Sequence, residues 1–308
     1  MSRRGVVVPT GAIPGALAWA LVRIDLHTHS TASDGTDPPA EVMRRAAEAG
    51  LDVVALTDHD TLAGQAEARA VLPPGLVLLP GMELSCRLDG RSVHLLGYGL
   101  DRAEGSELAA SAAAIVEARR GRARRMVDRL RELGVDITWP QVEALAGGGV
   151  VGRPHVARAM VAAGAISRTE QAFTPEWIGA GGRAYVSRYA LDPVQAIGLI
   201  ADAGGAAVLA HPGALSRGWK IPDEAISRLA GAGLAGLEVW PPEHNEAERS
   251  RLGALAASLD LVPTGGSDDH GSLTGHRLGA ETCPPASYER LMARCGRRPG
   301  PGRAGPWT

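Results

Sequence analysis

Short apolar segments alternate with amphipathic segments along the first hundred residues, and this alternation limits the fold more than any other feature. Buried strands are predicted at four places: from Ile24, at 52–56, at 76–79 and at 93–98. Helices are predicted between them, from Pro38-Pro39 to about Glu48 and from about Leu62 to Val71. Strands and helices in this order favour a parallel sheet or barrel, in which functional side chains gather at the carboxyl ends of the strands.

The alternation is interrupted in the middle of the chain and then resumes. From about Ser106 to Tyr189 the sequence is helical, with a long helix to Leu133 and shorter ones near 141–146, 154–163 and 169–180. Further helices are predicted at 193–203, 223–230 and 243–258, and further strands at 206–210, 236–240 and 261–263. We therefore predict a barrel in two parts, 23–104 and 191–295, with a helical insertion at 105–190 that forms a substrate lid. A leader at 1–22 and a Gly/Pro/Arg-rich tail at 296–308 are expected to be disordered.

The composition excludes several classes of protein. The 308 residues carry a formal net charge of −2, which argues against a long nucleic-acid duplex as partner but not against a short oligonucleotide. No apolar run is long enough to predict a membrane span. Cys86, Cys283 and Cys295 lie far apart without Cys-x-x-Cys spacing, so we expect a reducing, cytoplasmic location. No obligate protein partner is indicated.

The histidines carry the strongest chemical signal. His27 and His29 are two residues apart in a predicted strand, so both side chains point to the same face and can bind one ion. Six of the nine histidines lie in or just beyond predicted strands: His27, His29, His59, His94, His211 and His270. Asp34, Glu83 and Asp268 accompany them, and such a mixture of imidazoles and carboxylates suits Mn²⁺, Zn²⁺ or Fe²⁺. Nine ligands are too many for one ion, whereas three ions would use them all.

The order of these motifs resembles a known family. The matching segments are His27-Thr28-His29, Ser33-Asp34-Gly35, Thr57-Asp58-His59-Asp60, Gly81-Met82-Glu83, Ala210-His211-Pro212-Gly213 and Gly266-Ser267-Asp268-Asp269-His270. They resemble the motif series of the PHP (polymerase and histidinol phosphatase) superfamily from about residue 23 to 295. The resemblance implies an α/β fold, a distorted (β/α)₇ barrel with a trinuclear metal site.

The resemblance also implies how three ions would share the nine ligands. His27, His29, Glu83 and Asp268 would hold the first ion. Glu83 would bridge to the second, which His94 and His211 complete, and Asp34, His59 and His270 would hold the third. Asp34 stands where several relatives have histidine, which favours Mn²⁺ at the third site. Asp58, Asp60 and Asp269 flank the ligands and either orient them or only form turns.

The helical insertion resembles that of the branch with 3′,5′-nucleoside bisphosphate phosphatases and 5′-3′ exoribonucleases. Arg119, Arg122, Arg153 and His155 would bind the substrate there. Arginine suits this role because its planar fork binds phosphate bidentately, and Arg153 precedes Pro154 at a helix start, where anions are favoured. The competing interpretations are a solvated helix face for Arg119 and Arg122 and a structural helix-start role for His155.

These inferences lead to one hypothesis and several alternatives. The hypothesis is attack of a metal-bound hydroxide on a phosphomonoester, the 3′-phosphate of a nucleoside 3′,5′-bisphosphate, with short 5′-phosphorylated RNA as a further substrate. Glu83, Asp268 and His270 would be catalytic, and the general acid is either His270 or a metal-bound water. The alternatives are a histidinol-phosphatase-like enzyme, a metal-binding module without turnover and an amidohydrolase. The last usually needs a metal-bridging lysine, and the only lysine, Lys220, lies in a loop without a matching motif.

Overall fold

The computed structural model describes residues 21–100, 103, 105–187, 189–214 and 219–296. The leader predicted at 1–22 and the tail predicted at 296–308 lie almost entirely outside these residues, so both stay predictions. No helix of the described segments is long and apolar enough to cross a membrane.

Seven strands form one sheet whose spatial order follows the chain from β1 to β7. Their bounds are β1 Ile24–Thr28, β2 Val53–Leu56, β3 Val77–Leu88, β4 Arg91–Tyr98, β5 Ala206–Leu209, β6 Gly236–Trp240 and β7 Val262–Gly265. The first and last strands meet just past their carboxyl ends, where the His29 amide donates to the Asp269 carbonyl at 2.9 Å and Thr28 bridges Asp269. The sheet is therefore nearly closed into a barrel, as the sequence predicted.

One strand departs from the parallel arrangement that the alternation indicated. β4 runs antiparallel to both β3 and β5, whereas the other neighbouring strands are parallel. The physical reason is the connection, since only Asp89 and Gly90, both with positive φ, separate β3 from β4. Two-residue turns of this kind join antiparallel strands. β3 also continues to Leu88, nine residues beyond the end predicted from its apolar core.

Nine α-helices accompany the strands within the described residues. They are α1 Pro39–Glu48, α2 Gln65–Ala70, α3 Glu107–Glu132, α4 Trp139–Leu145, α5 Arg153–Ala162, α6 Pro193–Asp202, α7 Asp223–Gly231, α8 Glu246–Ser258 and α9 Pro285–Met292. The helix predicted at 169–180 is wrong: only a 3₁₀ turn at Thr169–Phe173 forms. Pro175 and the glycines at 179, 181 and 182 follow, and residues of these types do not sustain a helix.

The long helix α3 connects two hydrophobic cores. Leu108, Ala112 and Ile115 on its first half pack with the core under β3 to β6. Ala123 and Met126 on its second half belong to a separate cluster formed by residues between 123 and 186. Arg119 and Arg122 lie between these two apolar stretches on the same inward face. The helix therefore carries these two arginines to the junction between the barrel and the helical segment.

Candidate metal centre

The nine side chains that the sequence singled out as ligands come together at one edge of the barrel. Three overlapping groups have their ligand atoms within 4.8 Å of one another: His27, His29, Glu83 and Asp268; His29, Asp34, His59 and His270; and His59, Glu83 and His94. The first group has the composition expected for the first ion. The other two differ in detail, because His29 joins the Asp34 group and His59 takes the place expected for His211.

Glu83 lies at the middle of this cluster, on β3. Its Oε2 is 3.1 Å from His59 Nδ1 and 3.3 Å from His29 Nε2. Its Oε1 is 2.5 Å from His94 Nδ1 and 2.9 Å from His211 Nε2. His211 thus contacts the cluster through Glu83 although it belongs to none of the three groups. The two oxygens of one carboxylate face different sets of histidines, which is the arrangement that a bridging ligand requires.

Asp268 and Asp34 occupy the two other acidic positions. Asp268, in the left-handed conformation with φ +48°, places Oδ1 3.3 Å from His27 Nε2 and 3.2 Å from His29 Nε2. Asp34 Oδ1 is 3.4 Å from His270 Nε2. The rings of His29 and His270 stack with their centroids 4.0 Å apart, so the two acidic positions belong to one continuous cluster.

The polar atoms at the centre fit a group of divalent cations. His27 Nε2, both nitrogens of His29, His59 Nδ1 and Asp34 Oδ1 are buried and lack a hydrogen-bond partner among the described residues. Unpaired buried polar atoms are costly in a protein interior. Imidazole nitrogen and carboxylate oxygen are the donor types that Zn²⁺, Mn²⁺ and Fe²⁺ accept, so a metal would satisfy these atoms together.

The electrostatics of the cluster also favour the binding of cations. Burial alone would lower the pKa of His29, but the neighbouring Asp268 and Glu83 carboxylates raise it to about 10. Burial alone would raise the pKa of Glu83, yet the neighbouring imidazoles of His59, His94 and His27 hold it well below its usual range. Burial lowers the pKa of His59 to about 4. The site thus concentrates ionised carboxylates among histidines, which attracts positive charge.

Glu238, which no sequence motif indicated, supports two of the histidines. It lies on β6, is 1% exposed, and has Oε1 3.0 Å from His27 Nδ1. Its Oε2 accepts a hydrogen bond of 2.7 Å from the His211 amide. A carboxylate on the far nitrogen of a ligating histidine fixes its tautomer and raises its basicity. The sequence signal for it was an acidic residue between Leu237 and Val239 in a predicted buried strand.

Other buried aspartates hold the loops that carry the cluster. Asp58 accepts hydrogen bonds from the Ser30 amide at 2.8 Å and from the Ser33 hydroxyl at 2.6 Å, which fixes the turn bearing Asp34. Asp25 accepts from the backbone amides of Ser267 and Gly279, and burial raises its pKa to about 6. The interpretation of flanking acids as orienting groups thus fits Asp58 geometrically, and the same kind of role extends to Asp25.

Arg119, Arg122 and Arg153 line one small pocket together with Gly152 and Val151. Arg119 and Arg122 are each 8% exposed, while Arg120, Arg124, Arg125, Arg129 and Arg131 on the same helix are exposed. Arg122 Nε donates to the Val186 carbonyl at 2.7 Å, and its guanidinium lies 5.7 Å from the Tyr185 ring centroid. The solvated-face interpretation is therefore wrong for Arg119 and Arg122.

His155 lies in the first turn of α5, close to these arginines. It is buried, and its Nδ1 accepts a hydrogen bond of 3.0 Å from the Gly152 amide. Burial lowers its pKa, so the ring is neutral near pH 7. The helix-start role that competed with substrate binding is thus present in the structure, and Nε2 is the nitrogen left for a ligand.

Lys220 and His244 lie outside the cluster. Lys220 pairs with Glu248, so it does not occupy the metal-bridging position of an amidohydrolase. His244 accepts a hydrogen bond from the Gly213 amide through Nε2 and contacts the Val239 carbonyl through Nδ1. It holds the loop after His211 rather than facing the cluster.

Comparison with known proteins agrees with this geometry. The family model of the PHP domain matches residues 25–117. A 5′-3′ exoribonuclease from Haemophilus influenzae is 35% identical over 249 residues, which are 80% of this chain and 90% of that protein. A 3′,5′-nucleoside bisphosphate phosphatase from Chromobacterium violaceum is 35% identical over 264 residues, covering 83% of this chain and 90% of that protein.

The solved structures give the same result for the fold. A protein from Bifidobacterium adolescentis, described as a metal-dependent phosphoesterase, superposes with a TM-score of 0.82 at 34% identity. The superposition covers 88% of this chain and 96% of the other. With its sequence match, its barrel and its cluster at the strand ends, this chain belongs to the PHP family.

Proposed function

We propose that this protein is a metal-dependent phosphoesterase that removes the 3′-phosphate of nucleoside 3′,5′-bisphosphates. Short RNA with a 5′-phosphate is the second substrate class. The names of the two sequence relatives, a bisphosphate phosphatase and an exoribonuclease, support a nucleotide phosphoester as substrate. The buried arginines beside the cluster support a second phosphate on that substrate.

One observation carries the preference for two phosphates. The position that a Cβ atom on Gly152 would occupy is 3.6 Å from Arg119 Nη1 and 3.9 Å from Asp34 Oδ2. The arginine pocket and the acidic cluster therefore adjoin each other at Gly152. A substrate that carries a phosphate at each end of one nucleoside can reach both places, whereas a simple monophosphate reaches only one.

The nine clustered residues would hold three ions, with Mn²⁺ as our choice of metal. Divalent ions bound there would activate water and neutralise charge on the phosphoryl oxygens. Glu83 would bridge two of the positions through its two oxygens, and Asp268 would share His27 and His29 with it. These two carboxylates and His270 are the catalytic residues we propose.

His270 is our choice for proton transfer within this set. Its side chain is 17% exposed, more than that of Glu83 or Asp268. Nδ1 lies 3.0 Å from the Asp268 carbonyl, so it carries a proton there and leaves Nε2 facing Asp34. Nε2 could therefore transfer a proton only while it is not bound to the third ion, and a metal-bound water would donate the proton otherwise.

The lid and the location of the protein are part of the same proposal. We infer that the segment 105–190 acts as the lid that supplies the arginines, since it forms its own apolar cluster beside the barrel. The partner is a small nucleotide or a short oligonucleotide. Three free cysteines, two of them buried, favour a reducing cytoplasm.

A substrate panel with added Mn²⁺ tests the function directly. Turnover of adenosine 3′,5′-bisphosphate, 5′-phosphorylated oligoribonucleotides, p-nitrophenyl phosphate and histidinol phosphate is compared by phosphate release and by product chromatography. We expect kcat/KM for the bisphosphate to exceed that for p-nitrophenyl phosphate by about 100-fold, since two phosphates are bound instead of one.

The control for this panel is the Asp268→Ala variant, which should lose activity on every substrate. A strong preference for histidinol phosphate would replace the proposal with the histidinol-phosphatase alternative. Absence of turnover on the whole panel would support a metal-binding module without catalysis.

A further inference from the structure

Asp60 makes contacts that the proposed reaction does not explain. It follows His59 directly, is fully buried, and adopts the left-handed conformation with φ +55°. Its carboxylate accepts hydrogen bonds from the Ser85 amide at 2.6 Å and the Ser85 hydroxyl at 2.8 Å. Oδ2 also lies 2.6 Å from Arg119 Nε. A buried acid in a conformation that side chains rarely adopt persists only where its surroundings require it.

These contacts fix the orientation of the Arg119 side chain. Nε faces Asp60 and Nη2 donates to the Ser85 hydroxyl, so one whole edge of the guanidinium is bound to the barrel. Nη1 has no protein partner among the described residues and points toward Gly152 and the arginine pocket. Arg119 therefore reaches the pocket as a fixed group with one amino group available.

The same contacts connect the arginine pocket to the cluster. Asp60 is adjacent in sequence to His59, and Ser85 is two residues from Glu83 and pairs with His94 across β3 and β4. The ion pair between Asp60 and Arg119 is thus a direct polar link between α3 and the part of the barrel that carries three clustered residues. Arg122 is held differently, by the Val186 carbonyl within the helical segment.

We propose that Asp60 is a positioning residue that orients Arg119 toward the distal phosphate of the substrate. The inference rests on the proposed function, because it takes the arginine pocket as the site of that phosphate. Asp60 neutralises the charge of Arg119, so the contribution of this arginine is directional: a preset hydrogen bond rather than attraction at long range. Selectivity for a second phosphate therefore depends on a carboxylate that does not touch the substrate.

The Asp60→Asn variant tests whether Arg119 acts through the orientation of its side chain or through its charge. The amide keeps the size of the side chain but removes the charge that pairs with Arg119, and it places an N–H group against either Arg119 Nε or the Ser85 amide. The Mn²⁺-loaded protein is titrated calorimetrically with adenosine 5′-monophosphate, which retains only the distal phosphate. We expect binding about tenfold weaker than in the wild type, with p-nitrophenyl phosphate turnover within about twofold and with unchanged manganese content.

A double-mutant cycle tests whether Asp60 acts through Arg119. Asp60→Asn should weaken binding of the monophosphate no further once Arg119→Ala is present, because the two residues then act as one unit. The matched control is Glu143→Gln, which removes an exposed ion pair with Arg120, the next residue on the same helix. This control should leave affinity unchanged, since exposed ion pairs contribute little.

The possible failures are distinguishable. If the substrate panel shows no preference for the bisphosphate, the proposed function is wrong and this inference falls with it. If the panel shows that preference but the wild type binds no adenosine 5′-monophosphate, the inference alone is wrong. If the wild type binds it and Asp60→Asn binds equally well, or loses manganese as well, the inference alone is wrong. If Asp60→Asn does not fold, Ser85→Ala replaces it, with about a threefold loss of affinity expected because the hydroxyl that contacts both Asp60 and Arg119 is missing; an unchanged affinity would overturn the inference.

Discussion

At the scale of single residues, Glu83 and Asp268 share two histidines of the cluster. Each uses one carboxylate oxygen to contact both His27 and His29, while the second oxygen of Glu83 faces His94 and His211. Neither carboxylate could be left without cations in such a buried place at low cost. The histidines and acids are therefore interdependent, and loss of either carboxylate removes a charge partner of both His27 and His29.

Glu238 gives a test at this scale that does not involve the ligands directly. Replacing it with glutamine removes the charge that holds His27 Nδ1 and weakens the acceptor for the His211 amide. We expect Mn²⁺ affinity to fall by about 10- to 100-fold, because such supporting carboxylates fix the ring and its basicity. Calorimetric titration of the metal-stripped protein measures this.

The matched control is Glu289→Gln, an exposed glutamate on α9, which should leave the affinity unchanged. An affinity within about twofold of the wild type for Glu238→Gln would mean that the His27 ring is held by its packing alone.

Residue type and position along the chain were enough to select all nine clustered residues, because each follows a recognisable strand end or turn. The partners within the cluster could not be predicted. His29 contacts ligands of two groups, and His59 rather than His211 joins Glu83 and His94. Such choices depend on side-chain directions to within an ångström. Glu238 was missed because a single acidic residue in an apolar strand has no spacing pattern to mark it.

At the scale of elements, the hairpin between β3 and β4 shows that local sequence can determine the direction of a strand. Asp89-Gly90 is a typical two-residue turn, and it alone distinguishes an antiparallel pair from the parallel one that the alternation favours. The predicted strand at 93–98 has the correct position, but its direction depends on this dipeptide. Strand existence follows from apolar runs, whereas strand direction follows from the length and chemistry of the connection.

The loop before α5 provides a test of how the helical segment docks on the barrel. A Cβ atom on Gly149 would lie 2.1 Å from the Thr31 carbonyl oxygen, and the next residue, Val150, donates its amide to the Ala32 carbonyl at 3.1 Å. Gly149→Ala must push this loop off the β1–α1 turn. We expect the free energy of unfolding in urea to fall by about 1–3 kcal/mol, as for other overpacked sites.

Gly253→Ala is the matched control because this glycine lies within α8 with nothing within 4 Å of its Cβ position. It should raise the free energy of unfolding by about 0.5–1 kcal/mol, since alanine is the better helix former. Equal stability of Gly149→Ala and the wild type would show that the loop does not need this close contact.

At the scale of the whole molecule, closure of the barrel depends on contacts between the two ends of the fold. The Ser267 amide donates to the Asp25 carboxylate at 2.9 Å across 242 residues of sequence. The alternation predicted the barrel, and the strand-end histidines predicted which edge carries the site. The closing contacts were beyond sequence patterns, because they form only after every intervening strand has paired.

The cluster joins β1, β3, β4 and the loops after β2, β5 and β7, so bound metal should stabilise the entire fold. We expect Mn²⁺ at 100 times its Kd to add about 2.7 kcal/mol to the free energy of unfolding. This corresponds to a rise in melting temperature on the order of 5 °C over the protein in EDTA. Differential scanning calorimetry measures both states.

The Asp268→Ala variant serves as the control, since the loss of one shared ligand should reduce the shift that Mn²⁺ produces. Identical melting temperatures of the wild type in EDTA and in Mn²⁺ would contradict metal binding at the cluster.

The reversed direction of β4 also decides how far the helical segment must extend. The chain leaves β4 at Tyr98, four residues beyond His94, and an antiparallel strand carries it ~14 Å away from the cluster over that distance. α3 must then bring it back, and from Glu107 to Arg119 a helix advances ~18 Å. Inserting one residue in this stretch would rotate Arg119 by ~100° about the helix axis, away from Asp60. The number of residues in the first half of α3 is therefore constrained as tightly as the identity of the arginine it carries.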